Sequence, residues 1–434
     1  MSRRRTTIAM TVAVALASFA TACSDDDANP SEGASPDTSE SVPDESPGSS
    51  ADDTLTVGVL LPLTGSGSEI GTVMNEAVEI ARAETKVTGV HGKPVRLVVV
   101  DESTLDGVVP PSLDGIFSEE VDAIIGPASS LLAARLLPIA VGDDVLTCSP
   151  TASTLGLDGF PDTGPLFVRT IPSDSLQAKA LAKMLDEAGT DVVLAFVDDA
   201  FGRPFMEKVS AELDALGVTT KATIGFDPQQ SEYDVGAAAV ARSGSATIGV
   251  IGDPEAGPRI VQAIADVIDT DTVSSIWMND AMRVPETASV YRRLDPAILQ
   301  LMRGVSPRST VGASDGSDST DGLPDNGRFF AANAYDCMNI IALTADQADV
   351  IDGAAMADQI VQVTSGGTSC ESFTECIEQL EGGRSIDYDG PSGELDLGRN
   401  GDPSVGLFDV YHFDERGLDM TDLRPPVRVD SRTG

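Results

Sequence analysis

From residue 54 onward, short runs of β-branched and other apolar residues alternate with longer segments in which apolar residues recur at helical spacing. The apolar runs are continuous rather than alternating, which is typical of strands buried on both faces of a parallel sheet. This order of strands and helices predicts an α/β fold built from doubly wound parallel sheets. The first series has predicted strands at 56–61, 95–101, 124–126 and 145–148, and predicted helices at 70–84, 113–119 and 131–141.

A second series of strands and helices begins after residue 170. It has predicted strands at 192–197, 220–226, 247–252 and 274–278, and predicted helices at 173–188, 203–216, 235–243 and 256–268, the first of them capped by Ser173. After a Ser/Asp/Gly-rich stretch at 309–327, predicted to be a mobile loop, come predicted helices at 329–347 and 354–364 and strands at 386–397 and 407–413. Two sheets of similar size, joined by a chain that returns to the first, predict two lobes with a cleft between them.

Hydroxyl-bearing side chains follow two neighbouring strands of the first predicted sheet. Ser129 and Ser130 follow the strand that ends at Gly126, at the point where a helix begins. Because the carboxyl ends of parallel strands meet at one edge, and helix N-termini there present free N–H groups, this edge suits a carboxylate. It predicts half of an amino-acid-sized binding site; the alternative is that Ser and Thr only cap the helix and fill the turns. The second strand, which ends at Cys148, is followed by Ser149, Thr151, Ser153 and Thr154.

The N-terminal residues have the features of an export signal. Three arginines precede an apolar run at 8–20 that is too short to span a bilayer, and small residues lead up to Cys23. Cleavage before a cysteine resembles a bacterial lipoprotein signal, which predicts a signal peptide at 1–22 and a lipid on Cys23; the alternative is plain secretion with cleavage nearby. Residues 24–53 contain no aromatic, Lys or Arg residue, and 23–53 is therefore predicted to be a disordered acidic tether. We expect an exported protein that the lipid on Cys23 anchors to the outer face of the cell membrane.

The net charge is −41, from 69 acidic and 28 basic residues. Nucleic acid is excluded as a partner because phosphate binding needs charge of the opposite sign. The same charge argues against electrostatic binding to anionic membranes, so the N-terminal lipid is the only membrane attachment that we expect.

Four cysteines remain besides Cys23, and an even number in an oxidising compartment indicates two disulfides. Cys370 and Cys376 are separated by five residues in a Gly/Ser/Thr-flanked stretch, so we pair them. Cys148 and Cys337 are then left for the second disulfide, although the count alone fixes no pairing. No C-x-x-C motif or Cys/His cluster occurs, and we expect no metal site.

The sequence contains little that indicates catalysis. Neither His91 nor His412 lies beside a nucleophile motif, and no G-x-S-x-G, H-E-x-x-H or Walker sequence occurs. The glycines at 65–71 resemble a dinucleotide loop, but three residues separate them from the strand end, where such a loop must begin. We therefore expect neither an enzyme nor a cofactor; an exported enzyme on a Rossmann-like scaffold is the alternative.

Several stretches together resemble one known family. They are TVGVLLPLTG (56–65), IIGPASS (124–130), SPTAST (149–154), LFVRTIPSDSLQAKALA (166–182), VDDAFG (197–202), NAYDCMNIIALT (333–344) and YDGPSGELDLGRNGDP (388–403). The chain resembles the substrate-binding proteins of branched-chain amino-acid ABC transporters, the leucine/isoleucine/valine type of periplasmic binding protein type I. The resemblance implies two Rossmann-like lobes joined by a three-crossing hinge, with 54–168 plus 304–402 as lobe one and 169–303 plus 403–428 as lobe two.

The resemblance also implies ligand-binding residues. Ser130 falls where the family has a ligand-binding serine, and Ser153 falls where it has a threonine. Glu232 matches the family's acidic residue for the ligand's ammonium, with Asp234 as its rival, and Phe201 stands where the family commonly has Tyr. The full predicted set is Ile70 against the apolar end of the ligand, Ser129, Ser130, Thr151, Ala152 and Ser153 around its carboxylate, and Phe201 and Glu232 on lobe two.

These observations lead to one expected function. We expect a monomeric, lipid-anchored solute-binding protein that captures a branched-chain or related amino acid between its lobes and delivers it to the permease and ATPase subunits of an ABC importer. The alternative is a receptor for a different small polar solute, such as an amide, urea or an aromatic acid, that serves transport or sensing.

Overall fold

The computed structural model describes residues 54–65, 67–102, 115–159, 166–283, 287–308, 330–421 and 424–432. The predicted signal peptide (1–22), the tether (23–53) with Cys23, and the predicted loop at 309–327 lie outside the described residues. Within the described part of the chain, no helix is both long and apolar enough to cross a membrane.

The first sheet has five parallel strands in the order β2-β1-β3-β4-β5. The strand at Thr56–Leu61, which has a parallel neighbour on each side, is buried along its whole length, as its continuous apolar sequence predicts. The elements are β1 (Thr56–Leu61), α1 (Ser68–Thr85), β2 (Arg96–Asp101), β3 (Ala123–Ile125), α2 (Ser130–Gly142), β4 (Leu146–Ser149) and β5 (Phe167–Arg169).

The second sheet has eight strands, of which β6 to β10 are parallel to one another. Their order is β14-β13-β10-β9-β8-β6-β7, with β15 also paired to β13, and β13 runs antiparallel to β10, β14 and β15. The helices are α3 (Asp174–Ala188), α4 (Gly202–Leu216), α5 (Asp234–Arg242), α6 (Ala256–Ala265), α7 (Ala288–Tyr291) and α8 (Pro296–Leu301). The strands are β6 (Asp191–Val197), β7 (Thr219–Phe226), β8 (Thr247–Ile251), β9 (Ser275–Met278), β10 (Met302–Pro307), β13 (Val405–Phe413), β14 (Asp419–Thr421) and β15 (Val427–Asp430).

The segment between β10 and β13 returns to the first sheet. The helix α9 (Ala331–Gln347) is buried along nearly its whole length and shares a hydrophobic core with β1, β3 and β4. The remaining elements of this segment are α10 (Gly353–Ala357), α11 (Ile360–Val363), β11 (Thr368–Cys370), α12 (Phe373–Glu381) and β12 (Ile386–Tyr388).

Both predicted disulfides are present. Cys148 at the end of β4 is bonded to Cys337 in α9, and Cys370 is bonded to Cys376 in α12. The first disulfide therefore fixes the returning helix to the carboxyl edge of the first sheet.

The fold class is confirmed, while several elements differ from their prediction. The predicted strand 386–397 ends at Tyr388, because the chain turns at Gly390 and the Ser392 N–H donates to the buried Asp336 carboxylate at 2.9 Å. The predicted helix 354–364 is two short helices. The strand β10 was not predicted, and it contains the expected lobe boundary at 303/304, so the second passage between the sheets follows Pro307.

Candidate ligand-binding site

The turn after β3 is held in place by a buried acid. The carboxylate of Glu102 accepts hydrogen bonds from the Ala128 N–H at 2.8 Å and the Ser129 N–H at 2.9 Å. Burial raises the pKa of Glu102 to about 7, against the lowering effect of these two bonds. The Ser129 hydroxyl caps α2 by accepting from the Leu132 N–H at 3.3 Å. In this structure, therefore, Ser129 has the capping role that was the alternative to ligand binding.

The turn after β4 is tied to the turn after β3 by hydroxyl groups. The Ser149 hydroxyl donates to the Pro127 carbonyl at 2.7 Å and accepts from the Ala152 N–H at 3.0 Å. The Thr151 hydroxyl donates to the Ala128 carbonyl at 2.9 Å. The Thr151 hydroxyl thus already links the two turns, and the Ala152 N–H is already bonded within the turn after β4, although both residues lie at the predicted edge.

Ser130 and Ser153 are the other two predicted hydroxyl-bearing residues at this edge. Both are half-buried. Ser130 is the first residue of α2, and the N–H groups of Ser130 and Leu131 make no hydrogen bond within the described residues. Two unpaired N–H groups at a helix N-terminus form a preferred position for an anion. The Ser153 carbonyl accepts a hydrogen bond from the N–H of Asp174, the first residue of α3, at 2.9 Å.

Hydrogen bonds from Arg169 hold the turn after β4 in place. Its guanidinium is fully buried and donates to the carbonyls of Ala152 at 3.1 Å and Thr154 at 3.3 Å. It also forms ion pairs with Asp402, at 2.7 Å, and with Asp158. One side chain thus connects the turn after β4, the end of β5 and the third passage between the sheets.

On the second sheet, acids at the carboxyl ends of strands mostly cap helices. Asp199 accepts from the N–H groups of Phe201 at 3.0 Å and Gly202 at 2.8 Å, and Asp253 accepts from two N–H groups at the start of α6. The ring of Phe201 is half-buried and meets Phe205 edge to face, with 5.9 Å between the ring centroids. On the first sheet, Ile70 is half-buried in α1 and packs against the core there.

The second sheet with the helices packed against it is called the second-sheet body, and the first sheet with its helices the first-sheet body. Glu232 and Asp234 lie exposed beside a depression of about 430 Å³ on the second-sheet body. Its lining includes Tyr233, Arg259 and Arg293, and every lining residue belongs to the second-sheet body. A second cavity, of about 390 Å³, lies beside the third passage between the sheets. Neither cavity is lined by Ser130 or Ser153, so the structure does not place Glu232 next to the predicted carboxylate position.

A polar group that was not predicted lies where the two bodies meet. It consists of Asp174 and Gln177 in α3 and Asp280, two residues after β9. Asp174 and Gln177 are only 2% and 1% exposed, while Asp280 is half-buried. Burial and the proximity of Asp280 raise the pKa of Asp174 to about 7, and burial also raises the pKa of Asp280. The sequence does contain one sign of this group. Asp174 and Gln177 are three residues apart on one helix, and the other buried positions of that helix are apolar.

A family model described as periplasmic binding protein matches residues 54–283, which is more than half of the chain. The chain is also 25% identical over 394 residues to the chemotactic signal transduction system substrate-binding protein BasB of Halobacterium salinarum, covering 85% of this chain and 89% of that protein.

Two solved structures have the same fold. One is the branched-chain amino acid transporter substrate-binding protein LivJ of Streptococcus pneumoniae in complex with isoleucine, with a TM-score of 0.65, 18% identity, and coverage of 87% of this chain and 100% of that chain. The other is an ABC transporter solute-binding protein of R. palustris in complex with benzoate, with a TM-score of 0.61, 17% identity, and coverage of 86% and 97%. At these identities the similarity establishes the fold.

Proposed function

Because the chain belongs to the periplasmic binding protein family, we propose that it captures a branched-chain or related α-amino acid between the carboxyl edges of its two sheets. The observation that carries this proposal is the pair of unbonded N–H groups at Ser130 and Leu131, next to two turns that buried side chains hold rigidly. A rigid anion position costs little reorganisation when the ligand arrives.

The two ends of the ligand need different partners. Its carboxylate binds at the N-terminus of α2, with the hydroxyls of Ser130 and Ser153 at its sides. Its apolar side chain lies towards Ile70 and Phe201, which are half-buried and can lose further exposed surface. Its ammonium binds a carboxylate of the second-sheet body, for which the resemblance implies Glu232.

A ligand held by one body also contacts the other body when the two close. The closed form therefore binds the ligand more tightly than the open form, and the ligand shifts the population towards it. In the proposed function the closed form then delivers its ligand to the permease and ATPase subunits of an ABC importer. Family membership supports a location outside the cytoplasm, and lipid on Cys23 would keep the protein at the outer face of the membrane.

A sensory role is the second candidate. The curated relative that covers most of the chain is a substrate-binding protein of a chemotactic signal transduction system. The same closed form would then be recognised by a membrane signal transducer, and capture of the ligand would be unchanged.

A thermal-shift screen tests the proposed ligand class. We expect leucine, isoleucine or valine at about 100 times its Kd to stabilise the protein by about 2.7 kcal/mol, and calorimetry to give one site per chain. Benzoate and simple amides serve as comparison ligands, and protein purified without refolding avoids loss of the site. Stabilisation by benzoate or an amide, with none by any amino acid, would contradict the proposal.

A further inference from the structure

The cavity of about 390 Å³ beside the third passage is lined by residues of both bodies, and it is called the hinge cavity. The second-sheet body contributes the first turn of α3 and the residues that follow β15. The first-sheet body contributes the residue after α11, and the third passage contributes residues 396–404. Five serines from these segments line the hinge cavity: Ser173, Ser175, Ser365, Ser404 and Ser431.

The chain crosses from one body to the other within the wall of the hinge cavity. The Arg169 N–H, at the end of β5, donates to the Gly401 carbonyl at 3.0 Å and so attaches the passage to the first-sheet body. The Ser431 N–H, directly after β15, donates to the Ser404 carbonyl at 2.8 Å and attaches it to the second-sheet body. Only residues 402–403 lie between these two attachments, and both line the cavity. A change in the angle between the bodies must therefore change the shape of the hinge cavity.

The charged groups that line the hinge cavity already have partners of opposite sign. The carboxylate of Asp402 accepts from the buried Arg169 Nε atom at 2.7 Å. The carboxylate of Asp396 accepts from the Arg432 Nη2 atom at 3.3 Å, and Arg432 also forms an ion pair with Asp430 at 3.0 Å. An ionic ligand would compete with one of these pairs, whereas a neutral polar ligand leaves them all intact.

The hydroxyl groups of the hinge cavity are not all paired. The Ser404 Oγ atom is buried and makes no hydrogen bond within the part of the chain that the structure describes. A buried hydroxyl without a partner costs free energy, so its presence needs a physical explanation. The Ser175 hydroxyl donates to the Ser173 Oγ atom at 3.0 Å, which leaves its own lone pairs available. A ligand that has several hydroxyls can accept from one serine and donate to another.

We propose that the hinge cavity binds a small neutral polyhydroxy compound, and that its occupancy changes the affinity of the site between the sheets. Hydroxyls of the compound pair with Ser404 and Ser175, and its carbon skeleton lies on the apolar side chains of Leu176, Leu397 and Pro403. The hinge cavity is distinct from the proposed amino-acid site, because none of the predicted ligand-binding residues lines it. Its volume is within the range of small-molecule sites, which is about 300–1,000 Å³.

The coupling follows from the position of the hinge cavity. A compound that fits it in one arrangement of the two bodies fits less well in the other, so it favours the first arrangement. A solute bound between the sheets also favours one arrangement. Each of the two ligands must therefore change the affinity of the other by the same factor.

Calorimetry with two ligands tests the proposal. The solute that binds most tightly in the thermal-shift screen is titrated without a polyol and with increasing glycerol, myo-inositol or glucose. We expect at least one of these polyols to change the Kd of the solute by about fivefold or more, with a saturable dependence on polyol concentration. Saturation distinguishes binding from the general stabilisation by an osmolyte that is excluded from the protein surface.

Two variants locate the effect in the hinge cavity. Ser431→Trp fills the cavity from an exposed position, and we expect it to abolish the effect of the polyol. Ser404→Ala removes the unpaired hydroxyl and should weaken polyol binding about fivefold. Ser385→Trp is the matched control, because Ser385 is also exposed but does not line the cavity, and it should retain the full effect. Unchanged circular dichroism shows that the variants are folded.

The proposal is overturned if none of the three polyols changes the Kd saturably, or if Ser431→Trp retains the full effect. Neither result bears on the proposed function. A wild type that binds none of the amino acids in the screen overturns the proposed function alone. In that case urea unfolding with and without each polyol tests the cavity: we expect a saturable rise of the midpoint in the wild type and in Ser385→Trp that is absent in Ser431→Trp, and equal midpoints with and without polyol in the wild type overturn the proposal.

Discussion

At the scale of single residues, buried charged groups determine the shape of the predicted site. Glu102 fixes the turn after β3 and Arg169 fixes the turn after β4, and both side chains are fully buried. Neither residue was among the predicted site residues, since the sequence shows only an acid after one strand and an arginine at the end of another. The hydroxyl groups of Ser149 and Thr151, which looked available to a ligand, complete the same support.

Replacement of Arg169 tests this support. Arg169→Met should destabilise the protein by about 3–5 kcal/mol, because it leaves the carboxylates of Asp158 and Asp402 without their buried partner and removes two donors to the turn. Urea unfolding measures the effect. Arg203→Met is the control, since its ion pair with Asp198 is largely exposed, and its cost should stay below about 1 kcal/mol. Equal costs for the two variants would contradict the role given to Arg169.

Acidic residues with raised pKa values make stability depend on pH. Burial raises the pKa of Glu102, Asp174 and Asp336 to about 7, so between pH 4 and 7 the folded chain binds more protons than the unfolded chain. The contribution of these groups to the free energy of unfolding is therefore fully present below the pKa that they have in the unfolded chain, and it is lost as the pH rises to 7. Each extra bound proton gives a slope of up to about 1.4 kcal/mol per pH unit.

We accordingly expect the midpoint of urea unfolding to rise when the pH is lowered from 7.5 to 5.5. Glu102→Gln should make this dependence shallower, because the amide does not titrate. A midpoint that falls over the same pH range in the wild type would contradict the assigned direction.

At the scale of elements, the prediction succeeded where the local sequence determines the structure. The strands β1, β6 and β8 consist of continuous apolar runs, and their predicted bounds are within one residue of those observed. The strand β10 contains Gly304, Ser306 and Pro307, which are poor strand formers, and it exists because it pairs with both β9 and β13. Sequence pattern does not reveal that long-range pairing.

The same limit applies to the candidate site. The turns that carry Ser130 and Ser153 could be found because they directly follow strands. Asp280 could not be singled out, since it is one of several acids at strand ends, and only the packing of α3 brings Gln177 to it.

The two disulfides offer a further test at this scale. Cys148–Cys337 closes a loop with a sequence separation of 189, and Cys370–Cys376 closes one of 6. If the stabilisation comes from restricting the unfolded chain, removing the first pair with alanines should cost about 5 kcal/mol and removing the second about 2 kcal/mol. Urea unfolding of the two double variants measures both costs. A larger cost for the short loop would contradict this explanation.

At the scale of the whole molecule, two sheets are connected by three passages of the chain, and each passage contributes to the region between them. The first passage follows β5 and contains Thr170, whose hydroxyl donates to the Asn333 carbonyl at 2.8 Å. The second leads from β10 to α9, and the third leads past Asp402 to β13. Arg169, Asp174 and Asp280 lie near these passages. A ligand that contacts both sheet edges there would change how the two bodies are held together.

The most direct test of the central claim is a crystal structure of the protein with its tightest-binding amino acid. We predict ligand density between the two sheet edges, with the α-carboxylate within hydrogen-bonding distance of the Ser130 N–H and the ammonium facing the second-sheet body. Density confined to the depression beside Glu232 and Arg259, with the N-terminus of α2 unoccupied, would contradict the account.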